Sequence, residues 1–508
     1  MVKPIPADRE SMWWAMREQP APTPASEPSP ALPSAVDVLV IGAGVTGLSA
    51  AVELARGGRH PVVVEAWRAG AGATGHTTAK VSLLQGARLQ RIRQHASAEA
   101  VRSYVEANRI GQGWLLDLMR AHSEPVQTRP AVTYAVSDEG AQRVHREAEV
   151  AREAGLEIMD EAAHGLPFTT TAAISLADQA QVDPMGAVAA LRAELEAHEG
   201  ELIEGVRVTG LSGGNPWTVH TSAGDLRADA VIMATQTPVG FRGAAQNALS
   251  QAKRSYAIAY PLPSGIDPES FPMSLSLDAS ARSLRTAVGS DCPVLLVGGA
   301  GHPVGEGGST TAHVAELDTW AREHFGVGEP LWSWSAQDYL LATAMPFIGA
   351  LPVSHGTVLT ATGYDKWGMA LGAGAGLIMA ADLLGGSPGH ATAMRHHVTG
   401  WHDAASIGAQ VAKTLERIVR DRVGSTKADE GAPAEGQGRV EQGPIGPRAV
   451  STVDGRTCSV SAVCTHLGGV LAWNDAERSW DCPLHGSRFT SDGTRLEGPA
   501  TADLAPVD

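Results

Sequence analysis

The sequence predicts an α/β nucleotide-binding domain, an α+β domain interleaved with it, and a small all-β domain at the C-terminus. Three observations predict this. Gly42-Ala-Gly44-Val-Thr46-Gly47 sits between an apolar strand and a helix. Residues 250–300 alternate in a strand-like way, and a Gly/Ala-rich helix follows at 367–384. Beyond a Gly/Ala/Glu/Pro-rich stretch at 424–438, short strands with turn signals fill the rest of the chain.

At 508 residues, two or three domains are expected. The chain is 43% hydrophobic and 5% aromatic, as an ordinary soluble α/β protein is. A net charge of −16 argues against a nucleic-acid partner and against anionic membrane surfaces. The N-terminus lacks the apolar run of a signal peptide, and no stretch of about 18 apolar residues is uninterrupted, so no integral membrane segment is expected. The 367–384 segment reads as a helix packed closely against something. Of the four cysteines, Cys292 and Cys458 read as small buried hydrophobes. This usage fits a reducing compartment, hence the cytoplasm.

In order, residues 1–35 form an irregular arm containing Trp13 and Trp14. A strand (36–41), a helix (46–56) and a second strand (61–65) follow. Residues 86–165 are mostly helical with some strand, and 229–234 is another buried strand. In the helix expected at 405–423, Ile407, Val411, Leu415 and Ile418 share one face. Short strands are expected at 448–453 and 457–463.

The strand–turn–helix context gives the glycines their meaning. Gly42 allows the tight turn, Gly44 lets the backbone approach a pyrophosphate, and Ala51 lies where the helix must approach the strand. The helix N-terminus then stabilises the anion. Glu65, at the end of the second strand, would accept hydrogen bonds from ribose hydroxyls, which disfavours a 2′-phosphate. Gly298-Gly-Ala-Gly301 follows a strand but lacks a matching acidic strand end, so no separate NAD(P)H domain is expected.

At the other end, Cys464-Thr-His466 is followed by Cys482-Pro-Leu-His485. Two thiolates and two imidazoles suit a two-iron cluster with unlike irons, the imidazoles raising the potential of theirs. Cys₂His₂ is also a zinc set, but zinc fingers usually pair Cys with Cys and His with His. Both boxes resemble those of Rieske [2Fe–2S] proteins: Cys464-Thr-His466-Leu-Gly-Gly469 and Cys482-Pro-Leu-His485-Gly-Ser487. The respiratory members of that family carry a further Cys in each box, where Gly469 and Leu484 stand here, and a Tyr where Phe489 stands. The departure implies a lower potential and makes a role as a membrane bc-complex subunit doubtful.

Gly70-Ala-Gly72-Ala-Thr74-Gly75-His76-Thr77-Thr78-Ala-Lys80 resembles the flavin-contacting loop of FAD-dependent oxidoreductases typified by D-amino-acid, glycine and sarcosine oxidases. Further matches follow in family order: Asp183-Pro184, Glu204-Gly205-Val206, Ala234-Thr235-Gln236-Thr237-Pro238 and Gly363-Tyr364-Asp365-Lys366-Trp367-Gly368-Met369. The resemblance spans roughly 36–390. It implies FAD contacts from Gly42, Gly44, Thr46, Gly47, Glu65, Ala66, Arg68, Gly72, Thr74, His76, Thr77, Val206, Ala234, Thr235, Gly363, Lys366, Trp367, Gly368 and Met369. His76 either carries the flavin covalently, as a His in a similar loop does in the dimethylglycine and sarcosine dehydrogenase branch, or hydrogen-bonds the flavin or the backbone. Lys80 is either a cation near the flavin N5 edge, where it could stabilise reduced flavin, or a surface lysine; Arg254, Tyr256, His302, Tyr339 and Tyr364 fall where that family places substrate-side residues. An Arg at 254 could clamp a substrate carboxylate. Trp332 and Trp334 alternate on a strand and read as core.

The full expectation is an α/β FAD-binding (Rossmann-like) domain with an interleaved α+β substrate domain, plus a small all-β Rieske domain. The FAD-dependent part covers 36–403, with FAD-binding parts at about 36–85, 170–240 and 335–403 and substrate parts at about 86–169 and 241–334. A helix and linker (404–438) lead to the Rieske domain (439–508). The combination implies a dehydrogenase that oxidises an amine or amino-acid substrate. Single electrons would leave through the [2Fe–2S] cluster to a carrier such as a ferredoxin, cytochrome or quinone. The alternatives are a ferredoxin-fed flavin reductase running in reverse and a redox sensor without small substrate. A Rieske oxygenase ranks last, because the FAD-like region occupies the place of its mononuclear-iron domain.

Overall fold

A computed structural model describes residues 10–17, 31–160, 165–240, 247, 249–352, 354–395, 408, 431–443 and 446–507. Its first sheet is built on the strand Ala35–Ile41, whose Val38, Leu39 and Val40 are fully buried. Such a continuous apolar run suits a parallel strand covered on both faces. It pairs in parallel with Pro61–Glu65 on one side and Gly224–Met233 on the other. Glu201–Glu204 and Val358–Thr362 extend the parallel part outward. The Asp183 carboxylate caps the helix Pro184–Ala197 by accepting from the Met185 N–H at 2.8 Å.

The Gly/Ala-rich helix is Gly368–Leu383, and its small residues are what let it pack. A Cβ on Gly376 would lie 2.7 Å from both the Ala50 nitrogen and the Thr46 oxygen of the helix Val45–Arg56. A Cβ on Gly374 would lie 2.4 Å from the Ala107 oxygen of a third helix, Ala98–Ala121. Close backbone approach explains the composition. No helix among the described residues is long and apolar enough to cross a membrane.

The second sheet runs in the order Trp332–Leu341, Ser250–Pro261, Pro293–Pro303, Arg282–Val288, Met273–Ser276, Val126–Ala135, Ala172–Val182 and Lys80–Val81. This corrects the expected parts of the interleaved domain. The strands 172–182 and 332–341 pair with the substrate-side sheet, although both ranges were expected largely on the FAD side. The helix 98–121, expected on the substrate side, packs on the 368–383 helix instead. A strand's residues show that it is buried, but not which sheet receives it.

The arm is also corrected. Met12–Ala15 is a short helix whose Met12, Trp13 and Trp14 are at most 1% exposed. Trp13 Nε1 donates to the Thr77 oxygen at 2.8 Å, and Ser11 Oγ donates to the Gly75 oxygen at 2.5 Å. This part of the arm is therefore packed against the glycine-rich loop. Cys292 and Cys458 are unpaired as expected, but half-buried rather than buried. The expected 405–423 helix and His396-His397 lie outside the described residues.

Two small antiparallel sheets make the C-terminal domain: Gly438–Gly443, Gly446–Val453 and Arg456–Ser461, then Ala472–Asn474, Ser479–Asp481, Arg488–Thr490 and Arg495–Glu497. Trp480 and Phe489 are fully buried at its core. The domain docks on the second sheet and on the helix Thr310–Phe325. Asp475 accepts from Ser309 Oγ and Thr310 Oγ1, both at 2.6 Å, and from the Thr311 N–H at 3.0 Å. A carboxylate from one domain thus sits at a helix N-terminus of the other, where the helix dipole favours it.

Candidate redox site

A cavity of about 970 Å³ runs between the two large sheets and reaches the C-terminal domain. Its first wall is the 42–47 turn. Gly42 has φ +101°, and a Cβ there would lie 2.7 Å from the Ala234 oxygen. A Cβ on Gly47 would fall 1.9 Å from the Gly42 oxygen. Gly44 precedes the helix without a side-chain cap. Of the first-turn N–H groups, that of Val45 is held by Thr74 Oγ1 at 3.1 Å. This is a cradle for a pyrophosphate that added side-chain carbon would block.

Glu65 lines the same wall. Its carboxylate already accepts from the Ala43 N–H (2.8 Å) and the Trp67 N–H (3.0 Å). Burial raises its pKa and these two amides oppose the rise. Each oxygen keeps a lone pair for a ribose hydroxyl. Arg68, expected as a contact, does not line the cavity; Trp67 does, with the Arg207 guanidinium 5.1 Å from its ring centroid. A Trp beside a strand-end acid was the available signal for this missed pair. Ala66, Gly72, Thr74, His76, Thr77, Val206, Ala234 and Thr235 all lie on the wall. His76 Nδ1 pairs with the Gly72 oxygen at 2.9 Å.

Gly47 and Gly363 do not line the cavity; they shape it. Gly363, at φ +83°, gives its carbonyl to Arg88 Nη2 at 3.1 Å. Asp365 then anchors the turn. Burial would raise its pKa, but Arg88 (3.2 Å), Lys253 (3.9 Å) and Arg91 hold it below the usual value. The turn presents Tyr364, Lys366, Trp367, Gly368 and Met369 to the cavity, and Tyr364 Oη lies 3.1 Å from Thr46 Oγ1. The 368–383 helix begins here, so its N-terminal N–H groups lie where negative charge on a bound ring would be stabilised.

The substrate-side expectations divide. Lys80 lines the cavity and donates to the Ser274 oxygen (2.6 Å) and Ser283 Oγ (2.8 Å). Burial, then the Arg285 charge, pushes its pKa well below the usual lysine value. Tyr256 lines the cavity with its hydroxyl 3.0 Å from His302 Nε2. His302 Nδ1 lies 2.9 Å from the Pro303 oxygen, so it carries the proton and Nε2 accepts from the tyrosine. Burial also lowers the His302 pKa. His302 itself stands behind Tyr256, off the cavity wall, and Gly298–Gly301 forms part of the wall instead.

Arg254 was expected either to clamp a substrate carboxylate or to serve packing, and the structure goes against the clamp. It lines the cavity, but its side chain is 1% exposed and its charge is spent on the C-terminal domain. It donates to Glu477 Oε2 at 3.0 Å, Ser335 Oγ at 2.6 Å and Gln337 Oε1 at 2.8 Å, with Asp481 at 3.6 Å. Glu477 and Asp481 also pair with Arg488, itself 1% exposed. Partners more than two hundred residues away left no mark on the sequence around Arg254.

Asp338, missed by the sequence reading, lines the cavity and accepts from the N–H groups of Tyr339 (2.7 Å) and Lys366. Burial is the largest cause lifting its pKa from 3.8 to about 7. A raised folded-state pKa means the folded protein binds the proton more tightly. That stability is fully present below the unfolded pKa and is lost as pH rises through about 7. Asp338→Asn is therefore expected to flatten the fall in melting temperature between about pH 4 and 7. Equal slopes in both proteins would refute this.

The four cluster candidates lie on two matching turns. The Cys464 N–H donates to the Gly469 oxygen (2.8 Å) and the Cys482 N–H to the Ser487 oxygen (2.7 Å). The His466 and His485 ring centroids are 5.1 Å apart. His485 is 1% exposed, and neither of its ring nitrogens has a hydrogen-bond partner among the described residues. A buried imidazole with two orphan nitrogens is costly unless one is a ligand. Burial, then His466, pushes its pKa down to about 4, keeping it in the neutral, ligating form. The two thiols touch: contact with Cys482 lowers the Cys464 pKa, while that of Cys482 rises. These residues fit an iron–sulfur centre.

A Cβ on Gly469 would lie 2.7 Å from Leu484 Cδ1, so leucine fills the place of the respiratory disulfide. Phe489 is fully buried and brings no hydroxyl. Ser487 Oγ accepts from the Ala500 N–H at 3.0 Å and also hydrogen-bonds Cys464. With one hydroxyl donor and the disulfide gone, the reduction potential is expected below that of respiratory Rieske centres. A titration midpoint within the respiratory range would contradict this.

Fold and site together define a flavoprotein oxidoreductase with an iron–sulfur domain. Residues 37–382 match the FAD dependent oxidoreductase family and residues 436–508 match the Rieske [2Fe-2S] domain. The chain belongs to the FAD dependent oxidoreductase family and carries a C-terminal Rieske domain; the first domain binds FAD and the second a [2Fe–2S] cluster. The Bacillus subtilis (strain 168) protein YhfW is 30% identical over 93% of each chain. The cytochrome b6-f complex iron-sulfur subunit of Nostoc punctiforme is 35% identical over 105 residues, 20% of this chain and 58% of its own length. Glycine oxidase from Geobacillus kaustophilus superposes with a TM-score of 0.59 at 17% identity, covering 70% of this chain and 96% of its own. L-proline dehydrogenase from P. horikoshii gives 0.58 at 17% identity, covering the same shares.

Proposed function

We propose that this protein is an FAD-dependent dehydrogenase for an amine or amino-acid-like substrate. Its electrons leave singly through the Rieske domain to an external ferredoxin, cytochrome or quinone. The observation that carries this is the shared cavity: Arg488, Thr490 and 496–500 of the C-terminal domain line the same space as the glycine-rich cradle. An oxidase that hands its electrons to oxygen has no need of a one-electron centre built into its wall. Bound FAD supplies hydride acceptance and the cluster supplies one-electron transfer.

The chain's own residues provide the setting. Tyr256 presents its ring to the cavity while its hydroxyl is held by His302 behind it, and Ser283 holds Lys80 in the wall. With Arg254 committed elsewhere, a substrate carboxylate would be met by Lys80 or Lys366, which binds it as a point charge and not as a bidentate fork. The absence of a membrane-length helix among the described residues and the unpaired Cys292 and Cys458 support a cytoplasmic location.

The test is anaerobic. A panel of amines and amino acids is offered to the purified protein, and flavin bleaching is followed by the cluster's EPR signal. Bleaching by a panel member, followed by that signal, is the expected result. Bleaching by reduced ferredoxin alone would indicate reverse flow, and bleaching by neither a sensor.

A further inference from the structure

We infer that Tyr339 and Gln337 form the hydrogen-bonded junction that couples the flavin cavity to the cluster, entering it on the His485 side. Both residues lie on the 332–341 strand and both line the cavity. Tyr339 is 3% exposed, and its hydroxyl donates to the backbone oxygen of His485 at 3.2 Å. Gln337 Nε2 donates to the backbone oxygen of Gly486 at 2.8 Å and to Tyr339 Oη at 2.9 Å. The Tyr339 carbonyl accepts from the Asp365 N–H at 3.1 Å, which ties it to the turn that opens the 368–383 helix. A buried chain of bonds thus runs from the flavin-side turn to a cluster-ligand box.

The contact is close as well as bonded. A Cβ on Gly486 would fall 2.5 Å from Gln337 Nε2. Electron tunnelling weakens less through bonds and hydrogen bonds than across open space, so a bridged contact without an intervening gap is the favoured crossing. The two imidazoles differ accordingly. His485 is buried against the flavoprotein domain, whereas half-buried His466 lies between exposed Thr465 and Leu467, the latter 45% exposed. The inner histidine faces the junction and the outer one faces the side open to a carrier.

The inference rests on the relay proposed above. Each substrate oxidised gives up a hydride and a proton; both protons are released to solvent, which leaves two electrons to pass on. These cross the junction one at a time, each reducing one molecule of an external one-electron acceptor, such as a ferric cytochrome. Tyr339 and Gln337 are positioning residues for that step.

The test uses the full-length protein loaded with FAD and cluster. Flavin is photoreduced anaerobically with EDTA as donor, and cluster reduction is followed in the same sample. The ratio of cluster-reduction to flavin-reduction rates is compared among wild type, Tyr339→Phe, Gln337→Met and the double variant. The ratio is expected to fall several-fold in the double variant, because the hydrogen bonds to the His485 and Gly486 carbonyls are replaced by through-space contacts. The EPR g values of the reduced cluster are expected to shift, because two donors to its ligand box are gone. An unchanged ratio with unchanged g values would overturn the inference. If flavin is photoreduced in the wild type while the cluster stays oxidised, the relay itself fails. Should the double variant not load its cofactors, Tyr339→Phe, which removes a single oxygen atom, carries the same readouts.

Discussion

Replacing Arg254 with methionine is expected to destabilise the docked C-terminal domain by about 3 kcal/mol, toward the lower end for breaking a buried ion pair. The buried part of the network holds two guanidinium groups (Arg254, Arg488) and two carboxylates (Glu477, Asp481), all at most 4% exposed, while Glu497, 36% exposed, pairs with Arg488 from the outside at 3.0 Å. The fully buried charges therefore balance. Removing Arg254 leaves one buried negative charge uncompensated, although Arg488 continues to pair with both acids and keeps the cost from being larger. Glu477→Gln added to Arg254→Met restores the balance and is expected to recover part of the loss. Thermal unfolding, followed through cluster absorbance, measures both variants. A double variant as unstable as the single would show that charge balance is not the cause. The network also sets an acid limit. Although burial opposes it, Arg488 and Arg254 hold the Asp481 pKa well below its unfolded value of 3.8. That stability is present above 3.8 and is lost as pH falls through the folded-state value.

Gly47→Ala is expected to abolish FAD retention. The new Cβ would sit 1.9 Å from the Gly42 oxygen and 3.2 Å from Ala234 Cβ. The first is backbone of the turn itself, so nothing flexible can yield and the helix must move off the strand. Gly58→Ala is the control, since a Cβ there meets nothing within 4 Å. At its φ of +80° it is expected to cost about 1–2 kcal/mol of backbone strain and leave FAD in place. The ratio of flavin to protein absorbance in the purified variants decides the matter. Full flavin content in Gly47→Ala would mean that the crossing is looser than its geometry requires.

Both predictions show where the sequence was readable and where it was not. The 42–47 turn was legible because strand, turn and helix are contiguous, and Gly42 and Gly47 answer contacts made within the unit or with the end of the adjoining strand. The cluster ligands were legible for a similar reason: two short boxes fix the donors, and the chemistry of two thiolates and two imidazoles narrows the metal. The Gly/Ala-rich helix announced close packing, but not its neighbours. Arg254 was misjudged because its partners, Glu477 and Asp481, belong to another domain. Trp13 and Trp14 sat in a stretch of low-information composition, yet the loop they cover is built more than sixty residues later. The strands 172–182 and 332–341 read clearly as strands, but sheet membership depends on hydrogen bonds to distant partners.

By itself, then, the sequence determined the two cofactor-binding units, their order, and the residue types at the cradle and the cluster. Those depend on local spacing and on donor chemistry, which a chain carries in its linear order. Only the tertiary structure decided that the Rieske domain walls the flavin cavity, that Arg254 serves docking, and that His485 faces inward while His466 lies on the more open side. Each of those is a matter of which buried charge or donor meets which partner. The cost of leaving such groups unpaired is settled only when distant segments pack together.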